Sequence, residues 1–263
     1  MDRWREPLPT RVLDTPALPP SYAAALRHGL SALDLQLSPE ALGIIEGHAR
    51  LLLAWTASIN LTAIRDPARL ATDHVVDSLT ALPWIAARRP DRLLDLGSGG
   101  GYPGLPLAAA LADTGPAPEV TLLEPIGKKA RFLQTVVDAT GVAGRVRVDA
   151  RRAEDLARPD GAAGTWSVIT ARAVASTADL VELAIPLLAP GGSLVAWKRG
   201  DLAAELDAAG RAVDALGGGT LEVLDVSVDG LAGHRLVVAT RDAHGHVPAG
   251  YPRDPGVRRR RPW

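Results

Sequence analysis

Hydrophobic residues recur along this chain with two different periods, and the change falls near residue 90. From Ser21 to about Ala87 they return at three- and four-residue steps, which gathers them on one face of a helix. The stretch SPEALGIIEGHARLLLAWTASI (38–59) shows it best. Ser38 stands as an N-cap and Pro39 at the first helical position. Glu40 falls in the first turn, where a carboxylate meets the positive end of the helix dipole. The pattern predicts a second helix through ARLATDHVVDSLTALPWIA (68–86). Before these helices, residues 1–20 carry Pro7, Pro9, Pro16, Pro19 and Pro20 and no period, so they read as a flexible arm.

From Arg92 the period shortens. RLLDL, EVTLLE, RVRVDA, WSVITA and GSLVAW are short apolar runs, and the segments between them are long enough for helices. Alternating strands and helices imply a parallel sheet covered on both faces. LEVLDVSV and HRLVVAT then follow one another closely, which implies an antiparallel pair at the end of the sheet. The expectation is an α/β fold with an open seven-stranded, mostly parallel sheet and an N-terminal helical extension. Its parts are an arm (1–20), the extension (21–90), the α/β domain (91–241) and a basic tail (242–263).

Composition narrows the functions open to such a fold. The 263 residues are 47% hydrophobic, enough for a full core, but only 4% aromatic, so that core is built from Leu, Val, Ile and Ala. There is no cysteine, which removes disulfides, thiolate metal sites and a cysteine nucleophile together. The six histidines show no metal-ligand spacing, so no metal is expected. No apolar run approaches the roughly 18 residues of a membrane span, and the first residues form no secretory signal. A cytoplasmic monomer with no membrane partner is expected. The net charge of −1 gives the body no overall pull on nucleic acid, so any such pull must be local. The last eleven residues, RDPGVRRRRPW, hold five Arg and one Asp, a local charge of +4, and their Pro and Gly predict a mobile tail.

Candidate chemistry begins at LLDLGSGGGYPG (93–104). Gly97, Gly99 and Gly101 follow the first strand, at the carboxyl edge where doubly wound sheets bind ligands. Glycines there let a ligand approach the backbone. Asp95 at the strand's end would repel a pyrophosphate, and suits a ligand bearing positive charge, such as S-adenosylmethionine. Glu124 ends the second strand, where an acid can accept ribose hydroxyls. Ala153 and Glu154 follow the third, near an adenine edge. Arg172 ends the fourth and could stack on a base, meet a phosphate or bind the cofactor carboxylate. Lys128 and Lys129 open a helix, against its dipole, which a phosphate partner would explain as well as a solvated face. His74 and Asp77 share a helix face as a hydrogen-bonded core or interface pair or as part of a substrate entry.

Taken together these pieces resemble the bacterial 16S rRNA (guanine-N7) methyltransferase G family, also called glucose-inhibited division protein B. The matching segments are NLTAI (60–64), HVVDSL (74–79), LDLGSGGGYPGLPLA (94–108), LLEPIGKKARFL (122–133), RRAED (151–155), ITARAVAS (169–176) and YPRDPG (251–256). The resemblance implies a class I S-adenosylmethionine-dependent methyltransferase fold, with S-adenosyl-L-methionine as cofactor. It implies 16S rRNA, in the small subunit or its assembly intermediate, as partner, and N7 of guanine 527 as target. It implies cofactor contacts at Gly97, Tyr102, Ala153, Glu154 and Arg172. Arg172 is the candidate catalytic residue. Lys128, Lys129, Arg131, Lys198, Arg258, Arg259, Arg260 and Arg261 are the candidate RNA contacts. The chain departs from the family at Tyr102, at the added Arg of WKRG (197–200) and in its arginine-rich ending.

Guanine N7 carries a lone pair at neutral pH, so its methylation needs orientation rather than a base. The sequence lacks a cysteine nucleophile for cytosine C5 and an Asn/Asp-Pro-Pro-aromatic motif for exocyclic amines. A methyltransferase on a small molecule or protein remains open. So do an NAD-dependent oxidoreductase, since Gly99, Gly101 and Gly104 also match G-x-G-x-x-G, and a non-catalytic nucleotide-binding regulator.

Overall fold

In the computed structural model, which describes residues 7–158 and 161–263, the strands form a single sheet in the order β3-β2-β1-β4-β5-β7-β6. They are β1 (Arg92–Leu96), β2 (Glu119–Leu123), β3 (Val146–Asp149), β4 (Trp166–Arg172), β5 (Leu188–Arg199), β6 (Gly218–Asp225) and β7 (His234–Arg241). The first five run parallel, and β7 is antiparallel to both β5 and β6. The seven expected strands are therefore present, with the terminal pair inserted so that β7 rather than β6 meets β5.

Alternation along β1 sends its side chains to two different cores. Leu93 packs with α1 (Pro20–Ala32), α2 (Pro39–Thr56), α6 (Gly104–Leu111) and α7 (Gly127–Ala139). Leu94 and Leu96 pack with α8 (Ala153–Leu156), α9 (Thr177–Ala184) and α10 (Ala203–Ala215). Phe132 is fully buried, and the cores are otherwise mostly aliphatic. Ser38 caps α2 by accepting from Ala41 N at 3.1 Å.

Three local expectations change. The predicted helix over 68–86 is broken into α3 (Pro67–Leu70), a π-helical stretch (Ala71–Val76), α4 (Asp77–Leu79) and α5 (Leu82–Ala86). The arm is not loose over its described residues. Trp55 donates to the Pro9 carbonyl at 2.8 Å and Arg50 to that of Pro16 at 3.0 Å, which binds the arm to α2. The tail is not loose either. Asp254 caps α11 (Pro255–Arg260), and Arg253 forks onto the buried carboxylate of Glu182 in α9.

Candidate active site

The carboxyl ends of β1, β4 and β5 open onto a cleft of about 960 Å³. Its floor is the glycine loop, Gly97 to Gly100. One wall is the helical extension, with Asp73, His74 and Asp77. The other runs from Arg172 and Trp197–Arg199 to Gly230 and His234 before and at the start of β7. Gly97, Gly99 and Gly101 all have positive φ (71°, 55° and 88°). A Cβ on Gly97 would meet Val174 at 2.7 Å, and one on Gly101 would strike Leu105 and His48. On Gly99 it would meet nothing nearer than the Gly97 carbonyl at 3.8 Å, because that side of the loop is the cleft. The loop is thus a bare cradle, and it fits a ligand laid against its backbone, as the cofactor reading requires.

The expected cofactor residues divide in three. Gly97, Gly99, Tyr102 and Arg172 line the cleft. Glu124, Ala153 and Glu154 stand at the ends of β2 and β3, outside its lining. Asp95 and Gly101 lie beneath the loop. Asp95 does not aim its carboxylate at a ligand, because it shares the inward face of Leu93. It is fully buried and accepts from Thr170 Oγ1 (2.9 Å) and from Gly104 N (3.1 Å), which ties the start of α6 to β1. Burial pushes its pKa up to about 6 despite those hydrogen bonds. Gly104 must be glycine there, since a Cβ would come within 2.6 Å of the Asp95 carboxylate.

Glu124 braces the loop: Oε2 accepts from Gly99 N (2.9 Å) and Oε1 from Ile126 N (2.8 Å). Tyr102 is buried, its ring stacked between His48 (4.3 Å) and His74 (4.7 Å). His48 Nε2 lies 2.7 Å from the Gly100 carbonyl and donates to it, so α2 holds the loop from below. Burial pushes both imidazoles down to about 4, and the nearby Arg172 cation adds to the shift at each.

Arg172 is the junction between β4 and the extension. It pairs with Asp77 Oδ2 (2.9 Å) and donates to the carbonyls of Asp73 (3.1 Å) and His74 (3.4 Å), and Nη2 lies 3.1 Å from His74 Nδ1. His74 and Asp77, left open between a core pair and an entry, are joined through Arg172, which bonds to both. They bond within the wall and face the cleft.

The expected RNA contacts are placed unequally. Lys128 and Arg131 are exposed on α7, and Lys129 lines the cleft. Lys198 is committed to Glu205 (2.6 Å) and the Ala175 carbonyl (2.8 Å). Arg258 is committed to Glu154 (2.6 Å) and the Arg253 carbonyl, so it is not a free phosphate contact, and Glu154 is not a free acceptor. Arg259, Arg260 and Arg261 remain exposed. Sequence reasoning missed His48, Trp197, His234 and the Glu182–Arg253 pair. A signal existed for the last: Glu182 interrupts the apolar run LVELAI, and a carboxylate on a buried helix face needs a cation.

Sheet order, glycine loop and carboxyl-edge cleft define a class I S-adenosylmethionine-dependent methyltransferase fold. Among solved structures, the O-methyltransferase TomG from Streptomyces achromogenes matches with a TM-score of 0.51 at 19% identity, over 81% of this chain and 94% of that one. A SAM-dependent O-methyltransferase from Thermotoga maritima matches at 0.50 and 17%, over 73% and 71%. These similarities speak for the fold alone. The family model for rRNA small subunit methyltransferase G matches residues 42–229. The protein named ribosomal RNA small subunit methyltransferase G in Dehalococcoides mccartyi (strain CBDB1) is 39% identical over 88% of this chain and 96% of its own. Its namesake in Stenotrophomonas maltophilia (strain K279a) is 42% identical over 84% and 95%. The chain belongs to the rRNA small subunit methyltransferase G family.

Proposed function

We propose that this chain transfers the methyl group of S-adenosylmethionine to N7 of a guanine in 16S rRNA. It acts as a cytoplasmic monomer on the small ribosomal subunit or an assembly intermediate. The observation that carries the reading is the glycine-floored cleft at the carboxyl edge, open between the sheet and the helical extension, in a chain of this family. In this reading Gly97 and Gly99 admit the cofactor against the backbone. Glu124 keeps its two amide contacts and accepts a ribose hydroxyl as well, each carboxylate oxygen having two lone pairs. Ala153 and Glu154 border the nucleoside, and Arg258 holds Glu154 in place. Tyr102 lines the cleft between His48 and His74, and Asp95 and Gly101 shape the loop from beneath.

The cofactor supplies an electrophilic methyl group. Since N7 already carries its lone pair, the protein's work is orientation, worth roughly 7–11 kcal/mol at best. Arg172 fixes the wall on which the base is received. Lys129 at the cleft and Lys128, Arg131 and Arg259–Arg261 outside it supply local attraction for phosphate. The test is to map 7-methylguanosine in 16S rRNA from cells with and without this protein, with restoration by an added copy. One site should lose its methyl group and regain it. An unchanged methylation map would overturn the reading.

A further inference from the structure

The end of the sheet brings an imidazole into the cleft. Because β7 runs antiparallel to β5, its first residue meets the last residue of β5, and His234 pairs in register with Arg199. The reversal thus delivers a side chain from a strand's beginning to the same edge at which the parallel strands end.

His234 Nδ1 lies 2.9 Å from Asp77 Oδ1. A buried carboxylate paired with an arginine can only accept, so Nδ1 carries the proton. Asp77 is itself fixed, by Arg172 on Oδ2 (2.9 Å) and by Trp197 Nε1 donating to its backbone carbonyl (2.7 Å). The His234 side chain keeps 20% of its surface exposed and lines the cleft, and no other described residue bonds to Nε2. In the neutral ring, with the proton held on Nδ1, Nε2 turns a lone pair toward that space.

We propose, building on the function above, that His234 is a base-contacting residue: its Nε2 accepts a hydrogen bond from guanine N1–H while N7 is methylated. In the transfer, the N7 lone pair forms the new N–C bond. The S–C bond breaks with its electrons left on sulfur, and the positive charge passes from the sulfonium to the guanine ring. No proton has to leave. As the ring becomes cationic its N1–H becomes more acidic, so the bond to Nε2 is stronger in the transition state than in the bound substrate. Such a contact raises the rate of the chemical step and not merely affinity. N1 lies across the base from N7, so the acceptor does not compete with the methyl donor. Asp77 is the positioning residue that holds the imidazole in its accepting tautomer.

Two substitutions separate this role from a structural one. His234→Asn puts an amide N–H near the place of Nδ1 and keeps a donor for Asp77, but it withdraws the cleft acceptor. His234→Gln reaches the place of Nε2 and restores an acceptor. The measurements are single-turnover methyl transfer to 30S subunits and naked 16S rRNA from cells lacking the protein, RNA affinity, and S-adenosylhomocysteine affinity. We expect His234→Asn to slow transfer at saturating RNA about 10- to 100-fold, less than the roughly 100- to 1000-fold lost with one oxyanion-hole donor, because the charge that develops here is spread over the guanine ring. Both affinities should stay within about twofold, and His234→Gln should recover most of the rate. Wild-type transfer by His234→Asn would overturn the proposal, as would a defect confined to RNA affinity, which would mark a phosphate contact. If the wild-type protein methylates no guanine, the functional reading fails in that arm and this role falls with it.

Discussion

Asp77 and Glu182 are both buried carboxylates, each bound by an arginine and by the ring N–H of an aromatic side chain. Glu182 takes Arg253 at 2.6 and 3.0 Å and Trp263 Nε1 at 2.7 Å. It also accepts the Arg253 backbone N–H at 2.7 Å. Asp77 takes Arg172 and His234, each at 2.9 Å. The difference lies in where the partners' other edges go. Arg253 turns its remaining guanidinium nitrogen, Nη1, to the Arg261 carbonyl and lies over the Trp263 ring at 4.7 Å, so the Glu182 cluster is closed on itself and stitches the last residues of the chain to α9. The partners of Asp77 line the cleft and keep accessible surface there. The same chemical grouping fastens the chain in one place and presents groups to a ligand in the other.

The contrast predicts unequal losses. Glu182→Ala should cost about 2–4 kcal/mol, because it removes the one fully buried acceptor shared by Arg253 and Trp263 and leaves a cavity in its place. Urea denaturation measures this, and in the fraction still folded S-adenosylhomocysteine should bind normally. A loss under about 1 kcal/mol would mean the cluster fastens nothing.

Acid should loosen the cleft side before the Glu182 cluster, since the cleft side holds buried groups displaced into the middle of the pH scale. His48 and His74 are neutral when folded down to about pH 4, whereas the unfolded chain protonates them near 6.5. The unfolded state therefore binds more protons between these values, and stability falls as pH drops through that window, by about 3 kcal/mol for each imidazole. Asp95 works the other way. Its folded value of about 6 lies above the ordinary 3.8, so its penalty is relieved over nearly the same range. The net expectation is a loss of about 3 kcal/mol from pH 6.5 to pH 4. Hydrogen exchange should show α2 and the π-helical stretch opening before α9 and α11. Simultaneous opening would erase the distinction.

A smaller loss of stability with a larger loss of function is expected at Asp77. Asp77→Asn leaves Arg172 its bonds to the Asp73 and His74 carbonyls, so the cost should be about 1–3 kcal/mol. Methyl transfer should nonetheless fall more than tenfold, because the imidazole and guanidinium on the wall lose their common anchor. Denaturation and single-turnover rates on the same preparation measure both. Transfer at the parent rate would place Asp77 with Glu182 as a purely structural anion.

The sequence carried the strands, their order of appearance and the glycine loop, because each is written in local periodicity or in a residue type that only one backbone shape demands. It did not show where the Asp95 carboxylate goes: alternation puts it on the face of Leu93, but on a strand covered on both faces that does not decide between a ligand and the start of α6. It hid the pairs Arg172–Asp77, His234–Asp77 and Glu182–Arg253, because they join residues 71 to 157 positions apart. Charge patterning along a chain cannot register such partners. The same limit explains Arg258. In sequence it is one of four consecutive arginines. In the structure its long stem carries the guanidinium to Glu154, while its neighbours stay in water.

Those neighbours give the smallest effect. Removing everything after Val257 is a poor test of RNA contact, because it also takes Trp263 from Glu182 and Arg258 from Glu154. The cleaner change is Arg259, Arg260 and Arg261 together to Ser. All three side chains are exposed, and among the described residues none pairs with a carboxylate. Stability should move by less than about 0.5 kcal/mol, as for most surface substitutions, and S-adenosylhomocysteine affinity should not change. RNA affinity should fall and lose part of its salt dependence. Each phosphate neutralised on a single strand contributes about 0.7 to the slope of log K against log salt, so three contacts would flatten it by about 2 units. The fixed position of α11, tied through Arg253 to Glu182, means these arginines meet RNA as a set in one orientation. Parallel salt slopes for the two proteins would show that the helix touches no phosphate, leaving the pull on RNA to the cleft and to α7.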